Sequence, residues 1–322
     1  MHLRTFLAAL TLAALTLAAL LLPTAPARAA EIETLVTFDA SAGELPEGVA
    51  VDRRGNDYVS LIAPVSEIRK IAPDGEQSTL VDLGLRGNGP LGLAVDARGT
   101  LYAAAATFDP ATQGVYRVTA DGSATRLPGT GAIAFANGVA FDQRGNLYVT
   151  DSSAGAVWRI PPGGSAEVWI QDPLIEGTGA FGLGVPIGAN GITFRTPNEI
   201  VVGNTEKATL VSVPILPSGS AGEPAVIVED PAIFGVDGLT VDAHGTIYAC
   251  VIAQSTIVRV DGGSIETLAD ADDGINQASS IAFGQGIRDR KSLFGVNFGI
   301  FSPAPTPSLF RLPVGVPGAP QP

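Results

Sequence analysis

Four residues with oxygen-bearing side chains precede a glycine at matching places in a repeated pattern of this sequence. They are Glu47, Asn137, Asn190 and Asp237. Two carboxylates and two amides form a hard-oxygen, anionic donor set that suits Ca²⁺ or another hard divalent cation, with water completing the shell. Read singly, Asn-Gly and Asp-Gly are common turn dipeptides and Glu47 follows a proline, so a turn is the alternative for each. Read together, they favour a cation site.

The repeat that carries these residues is Gly-apolar-x-apolar-Asp-x-x-Gly-x-apolar-Tyr, which is typical of a strand, a tight turn and a second strand. Clear copies begin at four glycines and weaker copies at two further positions: Gly48, Gly92, Gly138 and Gly238, then Gly191 and Ser280. A third apolar strand follows each hairpin, in most copies with a basic residue inside it. Turns such as 73–75 and 120–122 lead to a fourth strand.

Six such units of roughly 46 residues predict an all-β chain, a six-bladed β-propeller of four-stranded antiparallel blades. There are six hairpins and six third strands, but only five internal fourth strands. We therefore expect the N-terminal segment 34–37 to be the outermost strand of the last blade, beside 309–312, where it closes the ring and covers the exposed edges. No linker or change in composition interrupts the repeats, so residues 31–322 are predicted to form one domain.

In a propeller the innermost strand of each blade begins at one face of the central channel. The residue before each hairpin therefore points at the axis, and the six positions are Glu47, Leu91, Asn137, Asn190, Asp237 and Ser279. Leu91 shows that the fold does not require a polar residue there. The aspartates of the hairpin turns lie on the opposite face and are expected to bond nearby backbone N–H groups, without a chemical role: Asp52, Asp96, Asp142 and Asp242.

Composition excludes several classes of protein. Asp and Glu number 32 against 19 Lys and Arg, a net charge of −13, which argues against a nucleic-acid partner. One cysteine excludes an intramolecular disulfide and a cysteine-cluster metal site, and two histidines argue against histidine-ligated zinc. Cys250, in a strand pattern, is expected to be a small buried apolar residue, and His244 an exposed turn residue on the face away from the cation set.

The first thirty residues predict a secretory signal peptide. Arg4 precedes an apolar run over 5–22, two prolines follow, and Ala27-Arg28-Ala29 fits a cleavage site. An uncleaved membrane anchor is the alternative, because the run is just long enough to span a bilayer. With cleavage, we expect an exported protein, periplasmic or extracellular, without stable membrane insertion.

From residue 31 to 312 the chain resembles the senescence-marker-protein, gluconolactonase and luciferin-regenerating-enzyme-like propellers, and more distantly diisopropyl-fluorophosphatase and paraoxonase. In that family a Glu, Asn, Asn, Asp set holds a divalent metal, usually calcium. The resemblance implies that Glu47, Asn137, Asn190 and Asp237 are metal ligands. The hairpin motif alone is less specific, because NHL-type propellers share it. Phe135 stands where the sugar-lactonase members tend to carry arginine, and the histidines of the paraoxonase-like members have no counterpart.

These observations predict a metal-dependent hydrolase of a lactone or related ester. The cation would polarise the carbonyl, and a water would attack with Asp237 as the general base or, second, Glu47. Phe135 favours an apolar small-molecule substrate over a sugar acid. Further candidates for substrate contact are Phe108, Phe181 and Phe298, which could instead anchor loops, and Asp151. The alternative function is a non-catalytic, NHL-like secreted binding module with a structural calcium, since propellers host both.

Overall fold

The computed structural model describes residues 31–62 and 64–320, in which 24 strands form six four-stranded antiparallel sheets. The predicted signal peptide lies outside the described residues. Blade one contains β2 (Pro46–Val51), β3 (Asp57–Leu61), β4 (Glu67–Ile71) and β5 (Gln77–Asp82). Blade two contains β6 (Leu93–Val95), β7 (Leu101–Ala105), β8 (Gly114–Val118) and β9 (Ala124–Arg126). Blade three contains β10 (Ala136–Phe141), β11 (Leu147–Asp151), β12 (Ala156–Ile160) and β13 (Glu167–Gln171).

Blade four contains β14 (Ala189–Thr196), β15 (Glu199–Asn204), β16 (Thr209–Pro214) and β17 (Ala225–Glu229). Blade five contains β18 (Val236–Val241), β19 (Ile247–Val251), β20 (Thr256–Asp261) and β21 (Ser264–Ala269). Blade six contains β22 (Ala278–Phe283), β23 (Ser292–Asn297), β24 (Ser308–Pro313) and the N-terminal β1 (Glu33–Thr37). Short 3₁₀ helices occupy Ala40–Ala42, Thr130–Ala132, Pro173–Ile175, Pro231–Ile233 and Ala271–Asp273. No helix among the described residues is long and apolar enough to cross a membrane.

The six blades form a closed ring, as the repeat predicted. Each inner strand contacts the next in the order β2, β6, β10, β14, β18 and β22, and β22 contacts β2 again. The N-terminal strand β1 pairs antiparallel with β24, with Thr34 opposite Phe310 and Thr37 opposite Ser308. The predicted closure by the N-terminal strand is therefore confirmed, and it pairs one edge of the last blade.

The tyrosine of the repeat joins neighbouring blades. Tyr102 packs edge-on against Phe141 with ring centroids 4.9 Å apart, and Tyr248 does the same with Phe283 at 5.4 Å. Aromatic pairs of this geometry stabilise a core beyond the area that they bury. Cys250 lies fully buried beside Tyr248 in the same apolar cluster, as expected.

The aspartates of the hairpin turns do what the sequence predicted. Each carboxylate accepts the backbone N–H groups two and four residues later, for example those of Arg54 and Asn56 at Asp52, at 2.8 and 2.9 Å. The same pair of bonds recurs at Asp96, Asp142 and Asp242. His244 is exposed in the last of these turns.

The C-terminal segment 314–320 crosses the turn-bearing face of the ring and was not predicted. Ala243 N–H donates to Pro317 O at 3.0 Å, and Ala319 N–H donates to Val241 O at 2.9 Å. Gly318 lies so close to Phe283 that a Cβ there would stand 2.4 Å from its side chain. Ala319 and Pro320 line the channel, so the segment narrows the channel end opposite the predicted cation site.

Asp57, at the start of β3, is an unfavourably placed carboxylate. Its side chain is 5% exposed, and its Oδ1 has no hydrogen-bond partner among the described residues. Burial, with the nearby charges of Asp289 and Asp52, raises the pKa of Asp57 to about 7. The folded protein therefore binds a proton here over a pH range in which the unfolded chain, with its ordinary pKa of about 4, does not.

This difference predicts how stability depends on pH. Because the folded state holds the proton between about pH 4 and 7, stability should fall as the pH rises through that window. Asp57→Asn has no charge to bury, so its free energy of unfolding at pH 8 should exceed that of wild type by on the order of 2 kcal/mol. Urea unfolding from pH 4 to 8 measures this, with Asp74→Asn in an exposed turn as the control. A variant profile parallel to that of wild type would contradict the prediction.

Candidate metal centre in the channel

The structure brings the four predicted residues to one end of the channel. Glu47, Asn137, Asn190 and Asp237 lie near the starts of the inner strands β2, β10, β14 and β18, and with Ser279 of β22 they line one cavity of about 150 Å³. All five are less than a tenth exposed. Since they lie within strands, the alternative that they belong to turns is wrong.

The glycines that follow five of the six axis residues are required by packing and not by a turn. None of these glycines has a positive φ. A Cβ on each would instead collide with the carbonyl oxygen of the next blade's axis residue. The distances are 2.3 Å for Gly48 to Leu91, 2.4 Å for Gly92 to Asn137, 2.6 Å for Gly138 to Asn190, 2.0 Å for Gly191 to Asp237 and 2.7 Å for Gly238 to Ser279. The glycines let the axis residues of neighbouring blades approach closely.

Hydroxyl groups from the second strands of the blades hold the backbone near the axis residues in place. Thr150 Oγ1 accepts the Gly138 N–H at 2.8 Å and donates to Asn190 O at 2.6 Å. Ser60 Oγ makes the same bridge in blade one, from the Gly48 N–H to Leu91 O, at 2.7 Å on both sides. The axis residues Leu91 and Asn190 are thereby each held by the blade before them.

Two further hydroxyls set the orientation of the amide side chains. Asn137 Nδ2 donates to Ser152 Oγ at 3.2 Å, and Ser152 Oγ donates to Ala189 O at 2.7 Å. Because the hydroxyl has a single proton and gives it to a carbonyl, it can only accept from the amide. The amide nitrogen must therefore face Ser152, which leaves Oδ1 available to a cation.

Asn190 is held in the same way. Its Nδ2 donates to Thr205 Oγ1 at 3.0 Å, and Thr205 donates to Val236 O at 2.8 Å. Sequence reasoning missed both hydroxyl residues. A signal was available, because Ser152 and Thr205 each come directly after the second strand of their blade, at the same position of the repeat.

The two carboxylates share a buried, anionic environment. Burial and the neighbouring Asp237 raise the pKa of Glu47 well above its ordinary value. Burial also raises the pKa of Asp237, and a hydrogen bond from the Asn190 amide offsets this only in part. No Lys, Arg or His occurs among the described residues that line the cavity. The pair therefore needs either a proton or a bound cation to balance its charge.

The donor set fits a hard divalent cation. No group of three or more His, Cys, Asp or Glu suited to a metal occurs among the described residues, so a cation here depends on the two amide oxygens as well as on the carboxylates. That is a calcium-like set rather than a zinc-like one. The hydroxyls that orient both amides give the set the supporting contacts that metal ligands require.

Residues around this end of the channel form what we call the apolar ring. Every blade contributes to it, and its members are Ile62, Leu91, Ala106, Phe135, Ile187, Ile252 and Phe298. Phe108 contacts Phe135 edge-on at 5.3 Å and is 48% exposed. Phe181 packs against the ring and contacts Phe234 and Phe301. Of the four predicted substrate-contact phenylalanines, two are thus in the ring and two lie on it.

Asp151 anchors the segment before Asn137. Its two carboxylate oxygens accept the N–H groups of Ala134 and Phe135, at 2.9 and 3.0 Å, and the indole N–H of Trp158 at 3.3 Å. A further bond comes from Ala154 N–H. These contacts make it a positioning residue for Phe135.

Glu206 orders the long loop between β13 and β14 and was not anticipated from the sequence. Its carboxylate accepts the backbone N–H groups of Thr178, Gly179 and Phe181, the last at 3.1 Å. Burial opposes ionisation, but these donors outweigh it and lower the pKa of Glu206. One carboxylate thereby holds a glycine-rich loop against the apolar ring.

We predict that Ser152→Ala weakens metal binding without removing a ligand. The Asn137 amide would lose its acceptor and could turn its nitrogen towards the channel, so calcium affinity should fall roughly 10- to 100-fold. Titration calorimetry measures this. Ser292→Ala, which removes a buried hydroxyl at the opposite end of blade six, is the control and should leave the affinity unchanged. Equal affinities for the two variants would contradict the role given to Ser152.

Comparison with known proteins identifies solved structures with the same fold. No family model matches the chain, and no curated protein matches it. Solved structures do: a gluconolactonase from Xanthomonas campestris has a TM-score of 0.67 at 19% identity, covering 91% of this chain and 94% of that one. The chain has the fold of the gluconolactonase-like propellers. The predicted resemblance is confirmed at the level of fold.

Two further neighbours support the same conclusion. Regucalcin from Agrobacterium tumefaciens, described as a calcium-binding protein, has a TM-score of 0.66 at 18% identity, covering 91% of this chain and 96% of that one. Luciferin-regenerating enzyme has a TM-score of 0.66 at 15% identity, covering 90% and 97%. At these identities the likeness establishes architecture, and the chemistry must be argued from the site.

Proposed function

We propose that this chain is an exported, metal-dependent hydrolase of a lactone or related ester, with Ca²⁺ as its cation. The observation that carries the proposal is the set of two carboxylates and two amides in the channel. Hydrogen bonds to Ser152 and Thr205 leave the amide oxygens of this set available to a cation. The structural neighbours include a gluconolactonase and a calcium-binding regucalcin, which is consistent with such a site.

Each residue of the set has a defined task. Glu47, Asn137, Asn190 and Asp237 would hold the cation, which when bound would polarise the substrate carbonyl as a Lewis acid. Both carboxylates in the channel are candidates for the general base, Asp237 the first and Glu47 the second. A carboxylate can serve as ligand and base only when one oxygen remains free to take the proton from water.

A non-catalytic secreted propeller with a structural calcium is the second candidate. It is favoured by one observation: neither histidine nor a cationic clamp for a substrate occurs among the described residues that line the channel. Both candidate functions include the bound metal, but only the first includes catalysis.

One experiment tests the proposal. The purified protein is assayed against lactones and aryl esters with calcium, manganese or zinc, before and after chelation, and its thermal unfolding is followed in parallel. We expect calcium to raise the melting temperature, with about 2.7 kcal/mol of stabilisation at a hundredfold excess over Kd, and chelation to abolish turnover. Calcium stabilisation without turnover would favour the binding module. Failure of calcium to stabilise the protein would refute the metal site.

Export is tested separately. Expression of the full chain in a bacterium should give a protein in the periplasm or medium whose N-terminus lies near residue 30. Recovery with residues 1–30 intact in the membrane fraction would favour the uncleaved anchor.

A further inference from the structure

The apolar ring lies directly beside the cation set. Leu91 is a member of the ring and occupies the same position of its blade as each residue of the set does in its own blade. Phe135 comes two residues before Asn137, and Phe298 immediately follows β23 at the same face. The side chains next to the set at this face of the channel are therefore apolar.

The apolar character continues outward from the ring. Eight large hydrophobic residues are exposed in the described chain, and four of them are in loops at this face: Phe108, Leu183, Ile300 and Phe301. Exposed aromatic and aliphatic side chains grouped around a channel mouth are typical of a binding surface for apolar molecules.

Three polar side chains next to the cation set and the apolar ring are already hydrogen-bonded. The hydroxyls of Ser152 and Thr205 donate to backbone carbonyls, and the carboxylate of Glu206 accepts loop N–H groups. A polyhydroxylated substrate would thus bury hydroxyls against apolar walls, at a cost of roughly 10-fold in affinity for each one left without a partner. A methylene group in the same place would gain about four-fold.

We propose that the substrate of this site is an uncharged lactone or ester with a large alkyl or aryl portion, and not a sugar-acid lactone. This inference rests on the proposed hydrolase function and names its substrate class. The carbonyl oxygen would lie at the cation set and the alkyl or aryl portion against the apolar ring, with Phe135 and Phe108 as specificity-determining contacts.

The test uses the calcium-loaded protein and γ-lactones whose alkyl side chain grows from one to eight carbons, with glucono-δ-lactone for comparison. We expect kcat/KM to rise by about two- to four-fold per added methylene until the chain outgrows the ring, and glucono-δ-lactone to be at least 100-fold poorer than the best alkyl lactone. The rise should come mainly through KM.

Variants show which residues cause the dependence of kcat/KM on chain length. Phe135→Ala should flatten the dependence of kcat/KM on chain length. Phe108→Ala, at an exposed position where folding is not at risk, should flatten it in part. Ile287→Ala, which is 90% exposed on the opposite face, is the control and should behave as wild type.

The outcomes separate this inference from the proposed function. Hydrolysis with no chain-length dependence, or with a preference for glucono-δ-lactone, would overturn the substrate class and leave the hydrolase in place. Hydrolysis of neither these lactones nor aryl esters by the calcium-loaded protein would overturn both.

Discussion

Asp237→Asn is expected to remain roughly 10²–10⁴-fold less active than wild type even at saturating calcium. The substitution keeps an oxygen donor of similar size at the channel, but it removes one charge and the proton acceptor. Metal affinity should fall as well, since the donor set loses half of its carboxylate charge. Measuring kcat as a function of calcium concentration separates the two losses, because excess metal restores occupancy and cannot restore a base.

Asn137→Ala is the matched control for this experiment. It deletes a neutral ligand and no base, so activity should return largely at high calcium. If Asp237→Asn recovered to the same extent, Asp237 would be a ligand only, and Glu47 would become the candidate base.

Gly191→Ala should be among the most destabilising single-methyl additions in the protein. The new Cβ would lie 2.0 Å from the carbonyl oxygen of Asp237, and this contact is with backbone that cannot rotate away. We expect a loss of about 3 kcal/mol or more in the free energy of unfolding, together with weaker calcium binding, because the strain falls on the backbone of a ligand.

Gly203→Ala in the adjacent strand β15 is the control. The nearest atoms to its Cβ would be side-chain atoms of Val236, at 3.3 Å, and of Leu239, at 3.6 Å. These can shift, so the loss should be much smaller. Denaturant unfolding compares the two variants. Similar stabilities for both would mean that the close approach at Gly191 does not constrain the ring.

Most of the architecture could be predicted because the repeat encodes it locally. The hairpin motif carries its own turn chemistry, and counting strands was enough to assign β1 to the last blade. The axis residues were likewise found by position: Glu47 and Asp237 are unremarkable in their own segments and informative only when the repeats are aligned.

What could not be predicted depends on contacts between blades. The turn interpretation of Asn190-Gly191 failed because it is a statistic of the dipeptide, whereas the glycine is required by a carbonyl more than forty residues away in the next blade. Glu206 was missed for a related reason, since a carboxylate in a loop has no distinctive sequence context until its partners are known. The C-terminal segment carries no repeat, so nothing predicted its course.

The pairing of β1 with β24 also orders events during biosynthesis. The first strand to leave the ribosome is without its partner until the last strand has been made, so blade six is necessarily the last blade to be completed. Blades one to five can form one after another while the ring of blades is still open. A chain released before residue 308 lacks β24 and should therefore leave the edges of β1 and β23 unpaired. We expect chaperones and proteases to recognise such a chain as incompletely folded.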